Sequence, residues 1–199
     1  MATKPTTMQD VFDKNQYDLK SAVRKSRAWF DQEVLKMSRQ AITPPKVLKG
    51  DPSALKTGVM PGKLYMFLYD PKGKADLPYY DKFPLVFPFR KVEGGFLGLN
   101  MHYLPYQLRI RLLDRLMVFQ SNSKMDETTR LKYSWAMIDS VSKFAPAKPC
   151  VKHYLTGHVR SPFRQIDAND WATAMLLPVE RFTGATKESV WVDSKKRIG

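Results

Sequence analysis

Residues 85–103 read LVFPFRKVEGGFLGLNMHY and hold two strand-forming segments on either side of a glycine turn. The segments 85–92 and 96–103 are rich in the aromatic and aliphatic residues that favour β-strands. Between them, Glu93-Gly94-Gly95 is short enough to join two antiparallel strands directly. Pro88 lies inside the first segment, where a proline indicates either an edge strand or a β-bulge. These residues therefore predict a β-hairpin.

The segments around the hairpin alternate between strand and helix patterns. Strand-forming residues recur at 63–69 and at 151–159. Helix patterns, with apolar residues at steps of three and four, occupy 105–119 and 126–144, and a short helix is expected over 167–177. The sequence thus predicts the α+β class, with a small antiparallel β-barrel or sheet and a helical insertion. An SH3-like barrel is one form that such a sheet could take.

An apolar stripe near the N-terminus predicts an amphipathic helix over residues 10–39. The stripe consists of Leu19, Val23, Phe30, Val34 and Met37. Prolines and glycines then dominate residues 41–62 and predict a linker. The expected organisation is an N-terminal helical arm over residues 1–45, a single α+β domain over residues 46–182 and a C-terminal arm over residues 183–199.

Charge is the most unusual bulk property of the chain. Lys and Arg number 33 against 19 Asp and Glu, which gives a formal net charge of +14. Such a charge favours nucleic acid, acidic protein surfaces or anionic lipid as partners, although a solvated basic face on a packed helix has the same composition. Any contact with double-stranded DNA would be directed at its backbone and sensitive to salt. The expected polyanion contacts are Lys20, Arg24, Arg27, Arg109, Arg111 and Arg115.

Two segments, residues 76–84 and 100–106, combine several tyrosines with prolines and few flexible side chains. Aromatic residues are enriched at protein interfaces, and rigid neighbours lower the entropy that is lost on binding. We therefore expect these segments to contact other proteins or to line the mouth of the predicted barrel. The expected protein contacts are Tyr79, Tyr80, Phe83, Tyr103 and Tyr106.

No complete catalytic, cofactor or metal motif is found in the sequence. Gly94, Gly95 and Gly98 lack the spacing and the following Lys-Ser or Lys-Thr of a phosphate-binding loop. Cys150, His153 and His158 lack a fourth zinc ligand. The chain is therefore expected to have no catalytic residue, no cofactor, no metal and no small-molecule substrate. No run of residues approaches the roughly 18 apolar residues of a membrane span, so no membrane partner is expected.

A metal-dependent nuclease is a weaker alternative, because such enzymes cluster carboxylates close to a lysine. Asp70, Asp76 and Asp81 lie in one turn-rich segment, but lysines alternate with them. This alternation is more typical of a solvated loop of mixed charge than of a metal site.

Three blocks of the chain resemble proteins of T-even-type contractile-tailed bacteriophages and their cyanophage relatives. They read YMFLYDPK at 65–72, LPYYDKFPL at 77–85 and GFLGLNMHYLP at 95–105. The similarity continues in VRSPF at 159–163 and LPVERF at 177–182. It is not specific to the familiar tube, sheath, wedge or neck components, and it carries no catalytic residues.

The resemblance implies a structural protein of a phage virion that is made in the host cytoplasm and has other virion proteins as partners. Two roles are compatible with it: a minor baseplate, tail or connector component, and a protein that shields the end of the packaged genome from host exonucleases. Three hypotheses result. The first is a virion component held by protein contacts, with its basic surface near DNA or acidic neighbours. The second is a DNA-end-binding protein, and the third is the nuclease.

Overall fold

The computed structural model describes residues 8–39, 43–48 and 51–197. Parts of both predicted arms and of the predicted linker lie outside the described residues, namely 1–7, 40–42, 49–50 and 198–199.

The described residues form helices at both ends of the chain and in its middle. They are α1 (Met8–Lys14), α2 (Leu19–Ala22), α3 (Arg27–Ser38), α4 (Pro44–Val47), α5 (Tyr106–Gln120), α6 (Glu127–Ser142), α7 (Trp171–Leu176) and α8 (Lys187–Lys196). The strands are β1 (Leu55–Lys56), β2 (Leu64–Met66), β3 (Tyr80–Asp81), β4 (Leu85–Val92), β5 (Gly95–Asn100), β6 (Val151–Leu155), β7 (Phe163–Ile166) and β8 (Phe182–Thr183). Mixed helices and antiparallel sheet confirm the α+β class.

The hairpin predicted from residues 85–103 is confirmed as β4 and β5. Their pairing runs from Val86 opposite Asn100 to Val92 opposite Gly95. Gly94 adopts a φ of 72° in the turn, a conformation that side chains with a Cβ disfavour. The register shifts between Pro88 and Arg90, so the proline marks a bulge, because β4 lies inside the sheet and not at its edge.

The barrel prediction is not confirmed, because the sheet of the described residues is open. Its six strands lie in the order β1-β7-β2-β4-β5-β6, and β3 and β8 form a separate two-stranded sheet. A barrel requires its first and last strands to pair with each other. Here β1 and β6 are opposite edges, and β1 is only two residues long.

The sheet buries both of its faces, because alternate residues of a strand point to opposite sides. On β2, Leu64 and Met66 belong to the main core with the helices, whereas Tyr65 belongs to a second, aromatic cluster. Phe67 is at the centre of that cluster, with ring centroids 5.0 Å from Phe163 and 5.3 Å from Tyr154. In the main core α6 contacts β4, and the Trp171 ring of α7 lies 5.0 Å from the Phe87 ring of β4.

The helix predicted over residues 10–39 is divided into α1, α2 and α3. The Asn15 side chain donates to the Val11 carbonyl at 2.8 Å, which satisfies an acceptor at the end of α1. Ser26 accepts from the backbone of Trp29 at 3.3 Å and so begins α3 as its N-cap. Phe12 and Phe30 are both buried in the main core, so the described part of the predicted N-terminal arm packs on the domain.

The described part of the predicted C-terminal arm also packs on the domain, because it contains a helix that the sequence pattern did not predict. Thr186 and Ser189 form a capping box at the start of α8. Val190 and Trp191 are buried, and the Trp191 indole donates to the His102 carbonyl at 2.9 Å. Two buried side chains and this hydrogen bond fix α8 against the turn that follows β5.

Candidate nucleic-acid interface

The α3, α5 and α8 helices enclose a surface groove with a volume of about 520 Å³. Its floor is apolar and includes the rings of Phe30, Tyr106 and Trp191. Charged residues of the groove lie on all three helices and on the turn before α3; they are Lys25, Arg27, Asp31, Arg111, Glu188 and Lys195. The groove lining therefore contains four cationic and two anionic side chains.

A shallow hollow beside the groove extends the positive surface. Its lining contains Asp18 and the cations Lys20, Arg24 and Lys25, and Lys25 also lines the groove. Lys25 directly precedes Ser26, the N-cap of α3. Its ammonium lies 5.9 Å from the ring centroid of Trp29. We call the combined surface the basic groove, defined by Lys20, Arg24, Lys25, Arg27, Arg111 and Lys195.

The structure brings four of the six residues predicted for polyanion contact into the basic groove, namely Lys20, Arg24, Arg27 and Arg111. Arg115 is also exposed and follows Arg111 by one helical turn on α5. Arg27 forms an ion pair with Asp31 at 3.9 Å, and both side chains are exposed. Exposed pairs of this kind contribute little, so Arg27 stays available to an anion.

Arg109 is the exception, and its prediction as a polyanion contact needs correction. The side chain is fully buried, because residues of a helix are rotated by about 100° each, which places Arg111 and Arg115 about 200° and 240° away from Arg109. The Arg109 guanidinium lies 2.7 Å from the Glu180 carboxylate. It also donates to the carbonyls of Leu104 and Met175, at 2.7 and 3.0 Å.

The Arg109–Glu180 pair is therefore part of the interior. Burial alone would raise the pKa of Glu180, but the adjacent Arg109 charge, with smaller contributions from His102 and Lys187, holds that pKa below its ordinary value. Tyr106 covers the pair, with its ring centroid 4.6 Å from the guanidinium carbon, and burial raises the pKa of its hydroxyl. The pair joins α5 to the segment that leads to β8.

Three of the five predicted protein contacts also need correction, since Phe83, Tyr103 and Tyr106 are buried. Phe83 and Tyr103 belong to the main core, as Tyr106 does below the groove. Several aromatic residues of the Tyr- and Pro-rich segments therefore pack inside this chain and do not contact other proteins. Tyr79 and Tyr80 are partly exposed and remain accessible.

Asp81, from the predicted nuclease segment, is buried against His102, with 2.7 Å between Oδ2 and Nδ1. The Asn100 amide and the Phe83 backbone donate to the same carboxylate at 3.0 Å each. Burial would raise the pKa of Asp81, but His102 and these donors hold it below its ordinary value. Asp70 instead is partly exposed and pairs with Lys74 at 2.9 Å. The two carboxylates thus have separate partners, and the residues described contain no group of three or more His, Cys, Asp or Glu that could hold a metal.

The three residues considered as zinc ligands lie in different environments. Cys150 is fully buried, and burial raises the pKa of its thiol to about 12. His153 is exposed, whereas the His158 Nδ1 atom lies 2.9 Å from the Asp70 carbonyl oxygen. Among the described residues, no helix is long and apolar enough to cross a membrane.

Sequence reasoning missed the basic groove itself and two of its residues. Lys25 could have been found, because Ser26 in the basic run 20–27 is an N-cap signal that places Lys25 at a helix boundary. Lys195 lies in the last turn of α8, a helix with little apolar pattern outside Val190 and Trp191. The convergence of three helices far apart in sequence has no local signal.

Comparison with known proteins gives one match. The chain matches the family model described as Phage T4 terminal DNA protecting protein over residues 8–195. No curated protein matches the chain, and no solved structure matches it. The match supports a T4-type phage protein, as the sequence resemblance implied, but it does not support a baseplate, neck or tail component. Because it runs through nearly the whole described chain, this protein belongs to the family of the phage T4 terminal DNA protecting protein.

Proposed function

We propose that this protein binds the ends of double-stranded DNA and shields them from exonucleases, with the basic groove as its principal contact to the DNA backbone. The observation that carries the proposal is the gathering of six cations from α2, the turn after it, α3, α5 and α8 on one surface, in a chain of the terminal DNA protecting family. Shielding of this kind acts by occupancy and needs no catalytic residue.

The composition of the basic groove fits backbone contact better than base reading. Its cations are long Lys and Arg side chains, which neutralise phosphates and position a protein on DNA without specifying sequence. Exposed apolar side chains, Leu108 and Val192, line the same groove and can pack against sugars or an exposed terminal base pair. A protein that acts on any genome end has no need of sequence readout.

Location in the phage particle forms part of the proposal. A protein bound to the end of a packaged genome travels with that genome and contacts whatever virion proteins surround it. Tyr79 and Tyr80 are the predicted protein contacts that remain accessible for this purpose. A structural role without DNA is the competing hypothesis, and it predicts weak binding to every form of DNA.

The test is binding of the purified protein to blunt-ended linear duplex and to closed circular duplex of the same sequence, across a series of salt concentrations. Five or six phosphate contacts would give a slope of about −5 for the logarithm of the association constant against that of salt. We expect tighter binding to the linear form at every salt concentration. Equal and weak binding that disappears at moderate salt for both forms would contradict the proposal.

A further inference from the structure

A second pocket, with a volume of about 270 Å³, shares no lining residue with the basic groove. Its walls include Tyr79 and Tyr80 around β3, Tyr103 after β5, and Lys152 and His153 of β6. The Tyr79 hydroxyl donates to Asp193 of α8, while Trp191 and Lys195 of the same helix line the groove. Residues of α8 therefore contact a wall of the pocket and line the groove.

Lys152 is the chemical feature that distinguishes this pocket. Its side chain is partly buried, and its ammonium lies 3.9 Å from the ring centroid of Tyr103. Among the described residues, no carboxylate forms an ion pair with it and no carbonyl accepts a hydrogen bond from it. Burial lowers the pKa of Lys152 to about 8, which leaves the group mostly charged at neutral pH. A sheltered cation whose hydrogen-bond donors are unused is a site for an anion.

The mouth of the pocket adds to the positive potential. Lys72 is exposed there, and no carboxylate among the described residues forms an ion pair with it. Asp81 is the acidic residue among those that line the pocket, but it is buried and its oxygens accept from His102, Asn100 and Phe83. The pocket lining therefore holds two cations, Lys72 and Lys152, that have no ion-pair partner among the described residues.

Tyr80 supplies a surface for a planar group. It is partly exposed and has no aromatic partner among the described residues, whereas Tyr79 and Tyr103 contact each other with centroids 6.1 Å apart. Bases stack on such side chains without regard to sequence, because each base has an aromatic face. The pocket therefore combines an anion site, which fits the phosphate of a nucleotide, with a stacking surface, which fits its base.

The size of the pocket limits what can enter it. Its volume of about 270 Å³ is close to the lower end of the roughly 300–1,000 Å³ of small-molecule sites, so it accommodates one nucleotide and excludes a duplex. A duplex end also differs chemically from the rest of the backbone, since a terminal phosphate monoester carries up to about two negative charges at neutral pH. Internal phosphodiesters carry one.

We propose that this pocket takes the terminal phosphorylated nucleotide of a DNA strand, with its phosphate against Lys152 and its base against Tyr80. This inference rests on the proposed function and adds to it the means by which an end is distinguished from the middle of a duplex. The basic groove holds the flanking backbone of any duplex, and the pocket recognises the terminus.

The experiment measures the end preference, defined as the ratio of affinities for linear and closed circular duplex, by fluorescence anisotropy. The full chain is compared with Lys152→Met, which keeps an unbranched stem and removes the charge, and with Tyr80→Leu, which removes the aromatic face. Lys132→Met is the matched control, because Lys132 is exposed on α6 and lines neither the groove nor the pocket. Linear duplexes with a 5′-phosphate and with a 5′-hydroxyl are both used, and a free 5′-mononucleotide serves as competitor.

We expect Lys152→Met to lower the end preference by about tenfold while binding to circular duplex is unchanged. The wild-type protein should prefer the 5′-phosphate to the 5′-hydroxyl end, and the mononucleotide should reduce binding only to linear duplex. An end preference in the wild type that both pocket variants retain would overturn the pocket and leave the proposed function standing. No end preference in the wild-type protein would overturn the proposed function and the pocket with it.

Discussion

At the scale of single residues, three arginines on α5 illustrate how spacing decides a role. Arg111 and Arg115 lie on the exposed face of the helix, while Arg109 points into the core and meets Glu180. All three were predicted to contact a polyanion, since composition alone does not separate them. Helical periodicity could have separated them, because Arg109 shares the face of the buried Leu113 and Leu116.

Substitutions of Arg109 and Arg111 should have different effects, one on the free energy of unfolding and the other on DNA binding. Arg109→Met leaves the Glu180 carboxylate buried without its partner, so we expect a loss of about 3–5 kcal/mol in the free energy of unfolding. Arg111→Met should leave that free energy unchanged and weaken DNA binding instead. Urea unfolding and duplex binding of both variants check this prediction. A stable Arg109→Met variant with reduced DNA binding would contradict the assignment.

The buried carboxylates predict how stability depends on pH. The pKa values of Glu180 and Asp81 are both held below their ordinary values in the folded protein. Such groups contribute stability above the pKa of the unfolded chain, about 4, and this stability is lost as pH falls through the lower folded value.

Urea midpoints measured between neutral pH and about pH 3 should therefore fall in acid. Glu180→Gln should show a smaller decrease than the wild type over the same range, because its side chain no longer titrates. A wild-type midpoint that is constant or rises in acid would show that these carboxylates do not have the predicted environment.

At the scale of elements, the local signals in the sequence were sufficient for the hairpin and insufficient for the helical ends. Gly94 identified the turn, and Pro88 indicated a bulge or an edge strand, because both act through the backbone of their own strand. The docking of α3 and α8 on the domain depends on buried contacts with distant segments, such as Trp191 with His102. The basic groove depends on the same contacts, which explains why only part of it was predicted.

Charge reversal within the basic groove should weaken binding to every duplex form. Lys20→Glu combined with Arg24→Glu removes two cations from exposed positions next to α3. We expect the salt slope to fall in magnitude by about 2, since each phosphate contact contributes about 0.9. The control is Lys91→Glu with Lys132→Glu, which makes the same change in net charge at exposed positions outside the groove. Equal effects of the two double variants would show that net charge alone, and not the groove, governs binding.

At the scale of the whole molecule, α8 connects the two proposed contacts with DNA. It lines the basic groove through Lys195 and holds the pocket wall through the bond from Tyr79 to Asp193. Both sheets support the sites: β6 of the open sheet and β3 of the two-stranded sheet carry pocket residues, while α5, which shares the main core with the open sheet, carries Arg111. This arrangement suits a protein that covers a duplex terminus and the backbone next to it.

The most direct test of end protection is digestion of linear duplex by a processive exonuclease at increasing concentrations of the protein, with duplexes of different lengths. We predict that digestion stops, and that the amount of protein required depends on the number of ends and not on duplex length. An excess of closed circular duplex should not abolish this protection. Protection that requires more protein for longer duplexes would indicate coating of the DNA, and either that result or uninterrupted digestion would contradict the account.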